Sequence, residues 1–359
     1  MTGKAVPTPA EVAPSETSAA GATLPGTTPA EAVIAPGKGE KAGKASKGRR
    51  SRAVRAFARR LAAGIAVLYG AATLAFIALQ LIPGDPVATL LGPATTASEE
   101  VRERIRAEFG FDRPVLLQYV GYLGRVVTGD LGSSYQLQRP VWQLIGDQLG
   151  ATVQLAVAAT VLAVLIALVS AVTTAGRRRG VRAVATAWEL VAVSLPSYWL
   201  GILLLTAFSF QLQIFPVVGA QDLAALVLPA LTLALPIAGV LAQVLREGLE
   251  AALAQPFAIT ARARGLSQTA VRLRHALRHA AVQLATLTGW LVGTLLGGAV
   301  LVETVFGRSG IGALTLQAVG NKDMPVVMGV VLLSAFVFVL ISTAVDLLYA
   351  VIDPRLRAG

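Results

Sequence analysis

The sequence predicts an all-α polytopic membrane protein with six transmembrane helices and both termini on the cytoplasmic side. Hydrophobic residues make up 55% of the 359-residue chain and charged residues only 14%, whereas soluble domains carry about 25% charged residues. The apolar residues gather into six runs, each long enough at 1.5 Å rise per residue to cross roughly 30 Å of hydrocarbon. Lys and Arg cluster in alternate connections, the pattern that retains loops in the cytoplasm.

Residues 1–50 are rich in Ala, Pro, Gly, Thr, Glu and Lys in low-complexity order and end in GKGEKAGKASKGRR. They contain almost nothing that could form a core and are expected to be a disordered cytoplasmic tail. Residues 51–82 comprise a basic flank and the first span, an uncharged run from Leu61 to Ile82. That run starts too late and runs too long for the apolar part of a cleaved signal peptide. Further spans are read at 151–175, 184–207, 224–245, 281–305 and 326–352. The third contains Glu189 and Pro196, and the fourth Pro229 and Pro236. Such interruptions are tolerated where neighbouring helices line a path.

With the N-terminus inside, Arg177, Arg178, Arg179 and Arg182 fall on the cytoplasmic side. So do Arg262, Arg264, Arg272, Arg274, Arg278, Arg355 and Arg357. The opposite side receives IFPVVGAQD, without a basic residue, and FGRSGIGALTLQAVGNKDMP, with two. It also receives residues 83–149, where eight acidic residues face six basic ones. Within that segment TTASEEVRERIRAEFG has a helix start, with Thr96 or Ser98 as cap and acidic residues in the first turn. Residues 83–149 form an extracytoplasmic subdomain too small for a core of its own.

The chain lacks the residues for most chemistry. It has no cysteine, which removes disulfides and thiol chemistry. A phosphate cradle needs G-x-x-x-x-G-K-[ST]; GKGEKAGKAS has the wrong glycine spacing and Ala45 at the hydroxyl position. His275 and His279 have the spacing of metal ligands, but Ala276 stands where H-E-x-x-H needs Glu, and flanking arginines would repel a cation. They read as a solvated helix face. The formal charge of +11 sits beside apolar runs with few interleaved aromatics, which fits membrane anchoring and not nucleic acid. Glu189, Glu303 and Asp346 lie near span ends, where helix contacts and interfacial hydrogen bonds are the expected roles. No catalytic, cofactor-binding or metal residue is expected.

The cytoplasmic loop 246–280 is far longer than a simple helix connection needs. In FAITARARGLSQTAVRLRHALRHA, residues 257–280, a short helix following Pro256 should end at Gly265, since Gly accepts the left-handed conformation after a helix. A second helix should start with Ser267 as cap, leaving Val271, Leu273 and Leu277 for packing.

These residues closely resemble the peptide-importer version of the cytoplasmic loop in permease subunits of bacterial ABC importers. PGDPV after the first span, FGFDRPVLLQYVGYLGRVVTGDLGSS, ETVFGRSGIG, KDMPVVMGVVLL and VDLLYAVIDPRLR extend the resemblance over roughly residues 55–357. The long segment after the first span resembles the B-type permease of dipeptide, oligopeptide and nickel importers. The resemblance implies a type I ABC importer permease fold in residues 150–357 together with the first span, and location in the bacterial plasma membrane. It implies as partners a second homologous permease, two ABC ATPase subunits, an extracytoplasmic substrate-binding protein and membrane lipid. No cofactor is expected on this chain; ATP and Mg would bind the ATPase subunits. Thr260, Ala261, Arg262, Ala263, Arg264 and Gly265 would form the coupling helix that docks into an ATPase. The broader importer consensus has Glu-Ala-Ala where Ile259, Thr260 and Ala261 stand and a Pro near Arg278, so no Glu-mediated contact is carried over. Ser309 replaces a Pro frequent in the ETVF motif. The implied cargo is short peptides, with nickel or another small solute as the alternative. A self-contained secondary transporter would need buried ion-relay carboxylates and an inverted pair of broken helices.

Overall fold

The computed structural model describes residues 38–81, 87, 91, 98–217 and 222–352. Most of the tail, Thr96, PGDPV apart from Val87, and residues 353–359 lie outside the described residues, as does the side chain of Asp346. The chain divides into two units, residues 1–55 and 56–359. In the first, the described residues begin the helix α1 (Lys38–Leu81); the second holds all that follows.

Among the described residues the secondary structure is helical, with one isolated bridge between Ser133 and Pro140. Beyond Val87 and Leu91, both helical, two short helices follow α1 among the described residues. Helix α2 (Glu99–Phe109) starts at Ser98, whose carbonyl accepts from Val101 and Arg102 although its hydroxyl makes no cap. It ends at Gly110, φ 70°. Helix α3 (Val115–Val127) starts after Pro114. Helix α4 (Val141–Thr174) begins after Pro140, ahead of the expected start at 151. The helix therefore takes in VWQLIGDQL ahead of the apolar run.

The third hydrophobic segment is broken. Helices α5 (Arg179–Ser194) and α6 (Ser197–Leu204), the latter continued by a π-turn at Leu205–Gln211, meet at 104°. The cause is Pro196: it holds the preceding Leu195 at φ −77°, ψ 127°, extended backbone that no α-helix accommodates. Helix α7 (Leu223–Leu253) opens on Asp222, whose carboxylate accepts from the Ala225 N–H at 2.8 Å. It runs through Pro229 and Pro236 and continues past the expected end at 245. Two short helices, α8 (Pro256–Ala263) and α9 (Gln268–Val271), precede α10 (Leu277–Val305). Helix α10 bends by 56° between Leu295 and Gly297, at a glycine pair of the kind that kinks helices. Helices α11 (Ile311–Gly320) and α12 (Met324–Ile352) complete the chain. Among the described residues four helices are long and apolar enough to cross a membrane, or up to six if each bent pair is one span.

The centre of the fold is the α4–α7 pair. On α4, Ala159, Ala163, Ala167 and Ala171 recur every fourth residue and are all fully buried; on α7, Ala230, Ala234, Ala238 and Ala242 do the same. Small residues at this spacing let two backbones approach closely, which is how helices associate where lipid removes the hydrophobic drive. The other face of α4 carries Val153, Val157, Val161, Leu165 and Val169, each at least half exposed. Large side chains thus face outward and small ones inward, as expected when the solvent is lipid. Gly239 extends this close packing to α5: a Cβ there would lie 2.9 Å from the Glu189 carbonyl.

Candidate functional site

The arginine-rich loop is built on the C-terminal ends of α4 and α7, where the last carbonyls of each helix lack intrahelical donors. Arg262 donates from Nη2 to the Leu253 carbonyl at 3.0 Å, closing α7. Arg272, 2% exposed, donates from Nη1 to the Val172 carbonyl at 3.3 Å near the end of α4. Both cations sit at the negative ends of helix dipoles. Burial, and secondarily the Arg177 guanidinium, lower the Arg272 pKa from the usual arginine value, without discharging a group that stays protonated in proteins. Arg272 lies in a π-turn, Arg272–Ala276, that feeds directly into α10.

Between these anchors α8 and α9 form the helix–glycine–helix unit. Pro256 occupies the first turn of α8, and its end is a Schellman turn: Gly265 N–H donates to the Arg262 carbonyl at 2.9 Å and Leu266 N–H to the Ala261 carbonyl at 3.2 Å. Gly265 has φ +83°. Ser267 caps α9 by accepting from the Ala270 N–H at 3.2 Å. Ala258, Ala261 and Val271 are buried against Leu253, Phe257 and Leu266, so the two short helices share a small core with the end of α7.

The six residues singled out in the sequence therefore divide into two groups. Ala261 is buried and Arg262 is engaged with α7, so they hold the loop in place. Thr260, Ala263, Arg264 and Gly265 are exposed, beside Ile259 at 63% exposure. Of the expected packing residues, Val271 is fully buried while Leu273 is 47% exposed. His279 stacks on Phe257 with ring centroids 4.9 Å apart, so its ring is a packing element and not only a solvated face. Arg246, read as the start of the loop, lies inside α7 and is buried: its Nη1 is 2.6 Å from Oε1 of Glu189, which is fully buried. Thr186 and Ser170 complete this network.

A second polar network lies at the other ends of α4 and α10. Glu303, fully buried, accepts from the Thr152 hydroxyl at 2.7 Å and from the N–H groups of Gly312 and Ala313 at 2.8 and 3.1 Å. A carboxylate thus caps α11, where the helix dipole favours negative charge. The ETVFGRSGIG motif encodes this loop. A Cβ on Gly312 would run into the Val300 backbone, so Gly312→Ala is expected to cost about 1–3 kcal/mol by overpacking, measurable as earlier thermal unfolding of the purified chain. Asp323, 3% exposed, receives the Ser134 hydroxyl and the N–H groups of Tyr135 and Gln136. It pins the segment before α4 to the start of α12. Asp323→Ala should strand these donors, at about 1–3 kcal/mol, and accelerate limited proteolysis within residues 133–139 at least tenfold.

Two family models match the chain: "binding-protein-dependent transport system inner membrane component" over residues 159–358 and the N-terminal part of such membrane components over residues 53–156. A putative peptide transport system permease protein of Brucella abortus is 37% identical over 312 residues, covering 83% of this chain and 98% of that protein. A glutathione transport system permease protein of Salmonella choleraesuis is 36% identical over 300 residues, covering 83% of this chain and 97% of that protein. A solved inward-facing methionine ABC transporter aligns at 18% identity with TM-score 0.49, over 59% of this chain and 97% of that one.

Proposed function

The chain belongs to the binding-protein-dependent transport system inner membrane components, and we propose that it forms half of the path through which a peptide-type ABC importer takes short peptides into the cell. Its relatives are named for peptide and glutathione transport, and the chain is a permease of that type. The observation that carries the mechanism is the mounting of α8. Its exposed face (Ile259, Thr260, Ala263, Arg264) stands on the ends of α4 and α7 through Arg262 and Arg272. A push on α8 is therefore delivered to two long helices as rigid levers, without a flexible linker to absorb it.

On this reading α8 is the coupling helix. Thr260, Ala263 and Arg264 contact an ATPase, where small residues permit close approach and Arg264 pairs with acidic groups; Ala261, Arg262 and Gly265 hold the contact in shape. ATP and Mg stay on two ATPase subunits, and a second permease completes the path. The six hydrophobic segments span the plasma membrane with both termini cytoplasmic, so that α2, α3 and α11 face an extracytoplasmic binding protein. Tagged chain should co-purify with two ATPase copies and a second permease, and the reconstituted assembly should take up short peptides in preference to chelated nickel. Transport by the isolated chain alone would refute this. Deletion of residues 2–50 is expected to leave peptide uptake within about twofold of the full chain, because that composition cannot bury a core; uptake in reconstituted vesicles checks it.

A further inference from the structure

We propose that the cleft between α1, α2, α3 and the start of α12 binds the phosphate headgroup of an acidic phospholipid. The cleft has a volume of about 410 Å³ and is lined by Arg113, Arg125 and Arg106, the last paired with Glu99 at 3.4 Å, with no acidic residue in its wall among the described residues. Arg113 and Arg125 form no ion pair among the described residues. Tyr122 also lines the cleft; it is 6% exposed, and its phenol oxygen has no hydrogen-bond partner among the described residues. A buried unpaired hydroxyl carries a desolvation cost that a bound acceptor would remove. Burial raises the Tyr122 pKa to about 12, against the lowering effect of the Arg125 guanidinium. The phenol is thus held neutral as a donor, next to a fixed cation.

The position of the cleft selects a lipid. Phe76 and Gln80 stand near the end of the first hydrophobic helix, and Met324 and Met328 at the start of the last. These are the levels at which spans leave the hydrocarbon. Helix α3, which forms one wall, exposes Val115, Leu116, Leu117, Val120 and Val127, the apolar face of a helix lying in the interface. A phosphodiester would meet the arginines while its first methylenes lie against Phe76 and Met328. A free peptide is less suited, since no acidic side chain among the described residues of the wall receives its ammonium group, and the same lack disfavours a zwitterionic headgroup.

The full-length chain in detergent would be given phosphatidylglycerol, phosphatidylcholine or inorganic phosphate, and bound lipid counted by native mass spectrometry. Phosphatidylglycerol should be retained over phosphatidylcholine by about tenfold, and excess inorganic phosphate should not displace it. Retention should fall about tenfold in Arg113→Gln/Arg125→Gln and severalfold in Tyr122→Phe, which leaves the fold intact because the phenol makes no internal hydrogen bond. Arg104→Gln, exposed and paired with Glu100, should change it less than twofold. Equal retention of both lipids, retention unaffected by Tyr122→Phe and the double variant, or displacement by an N-acetylated dipeptide would overturn the assignment. The inference rests on the hydrophobic helices lying in a bilayer and not on the cargo, so peptide uptake and lipid retention can fail independently.

Discussion

Gly265→Val is expected to reduce peptide uptake and peptide-stimulated ATP hydrolysis by more than tenfold while the chain still inserts in the membrane. Gly265 sits at φ +83° with open space where a Cβ would go, so the effect comes from the backbone and not from a clash. A β-branched residue in the left-handed region costs on the order of 1–3 kcal/mol. Relief of that strain would break the Schellman turn that aims α8. Asn tolerates this conformation better than Ala or Val, so uptake should fall in the order Gly, Asn, Ala, Val. Equal activity in all four would show that the turn does not set the docking geometry.

Glu189→Ala is expected to destabilise the chain by about 3–5 kcal/mol, because it leaves the Arg246 guanidinium buried without its counter-charge. Arg246 lies on α7 less than three turns before Leu253, the residue that Arg262 grips. The ion pair therefore fixes the broken third segment to the helix that carries the loop. The double variant Glu189→Leu/Arg246→Met should be more stable than Glu189→Ala, since replacing both charges removes the unpaired ion. Denaturant titration of the purified chain in detergent measures both. If the single and double variants were equally stable, the pair would not be the link between α5 and α7.

The loop was legible because its signals are local. Pro256, Gly265 and Ser267 each act through their own backbone or the next turn, and each takes the conformation that its chemistry dictates. The division of the arginines was not legible. Arg262 and Arg264 look alike in sequence, but only the tertiary approach of the α7 end gives Arg262 a carbonyl to hold. Glu303 was expected at a helix contact and sits in one, but its partners lie at residues 152, 312 and 313, a pairing that no periodicity encodes. The α4–α7 seam was written plainly in the four-residue alanine spacing. It is hidden from any search for apolar against polar faces, since in lipid both faces are apolar and only side-chain size distinguishes them. Helices α4 and α7 extend past the apolar runs at 151–175 and 224–245, because backbone hydrogen bonding continues through the polar residues that bound those runs, such as Asp147 and Glu247.

The absence of cysteine permits a direct test of the central claim that α8 delivers the work of ATP to this chain. With Ala263→Cys as the sole thiol of the permease, a short bifunctional cross-linker from that thiol to ATPase lysines should trap a permease–ATPase adduct in the assembled complex. The yield should change severalfold on addition of ATP, and the trapped complex should no longer transport. A thiol introduced by Leu137→Cys, in the segment pinned by Asp323, should give no such adduct. Absence of the adduct at residue 263 in an intact, transporting complex would contradict the assignment of α8 as the coupling element.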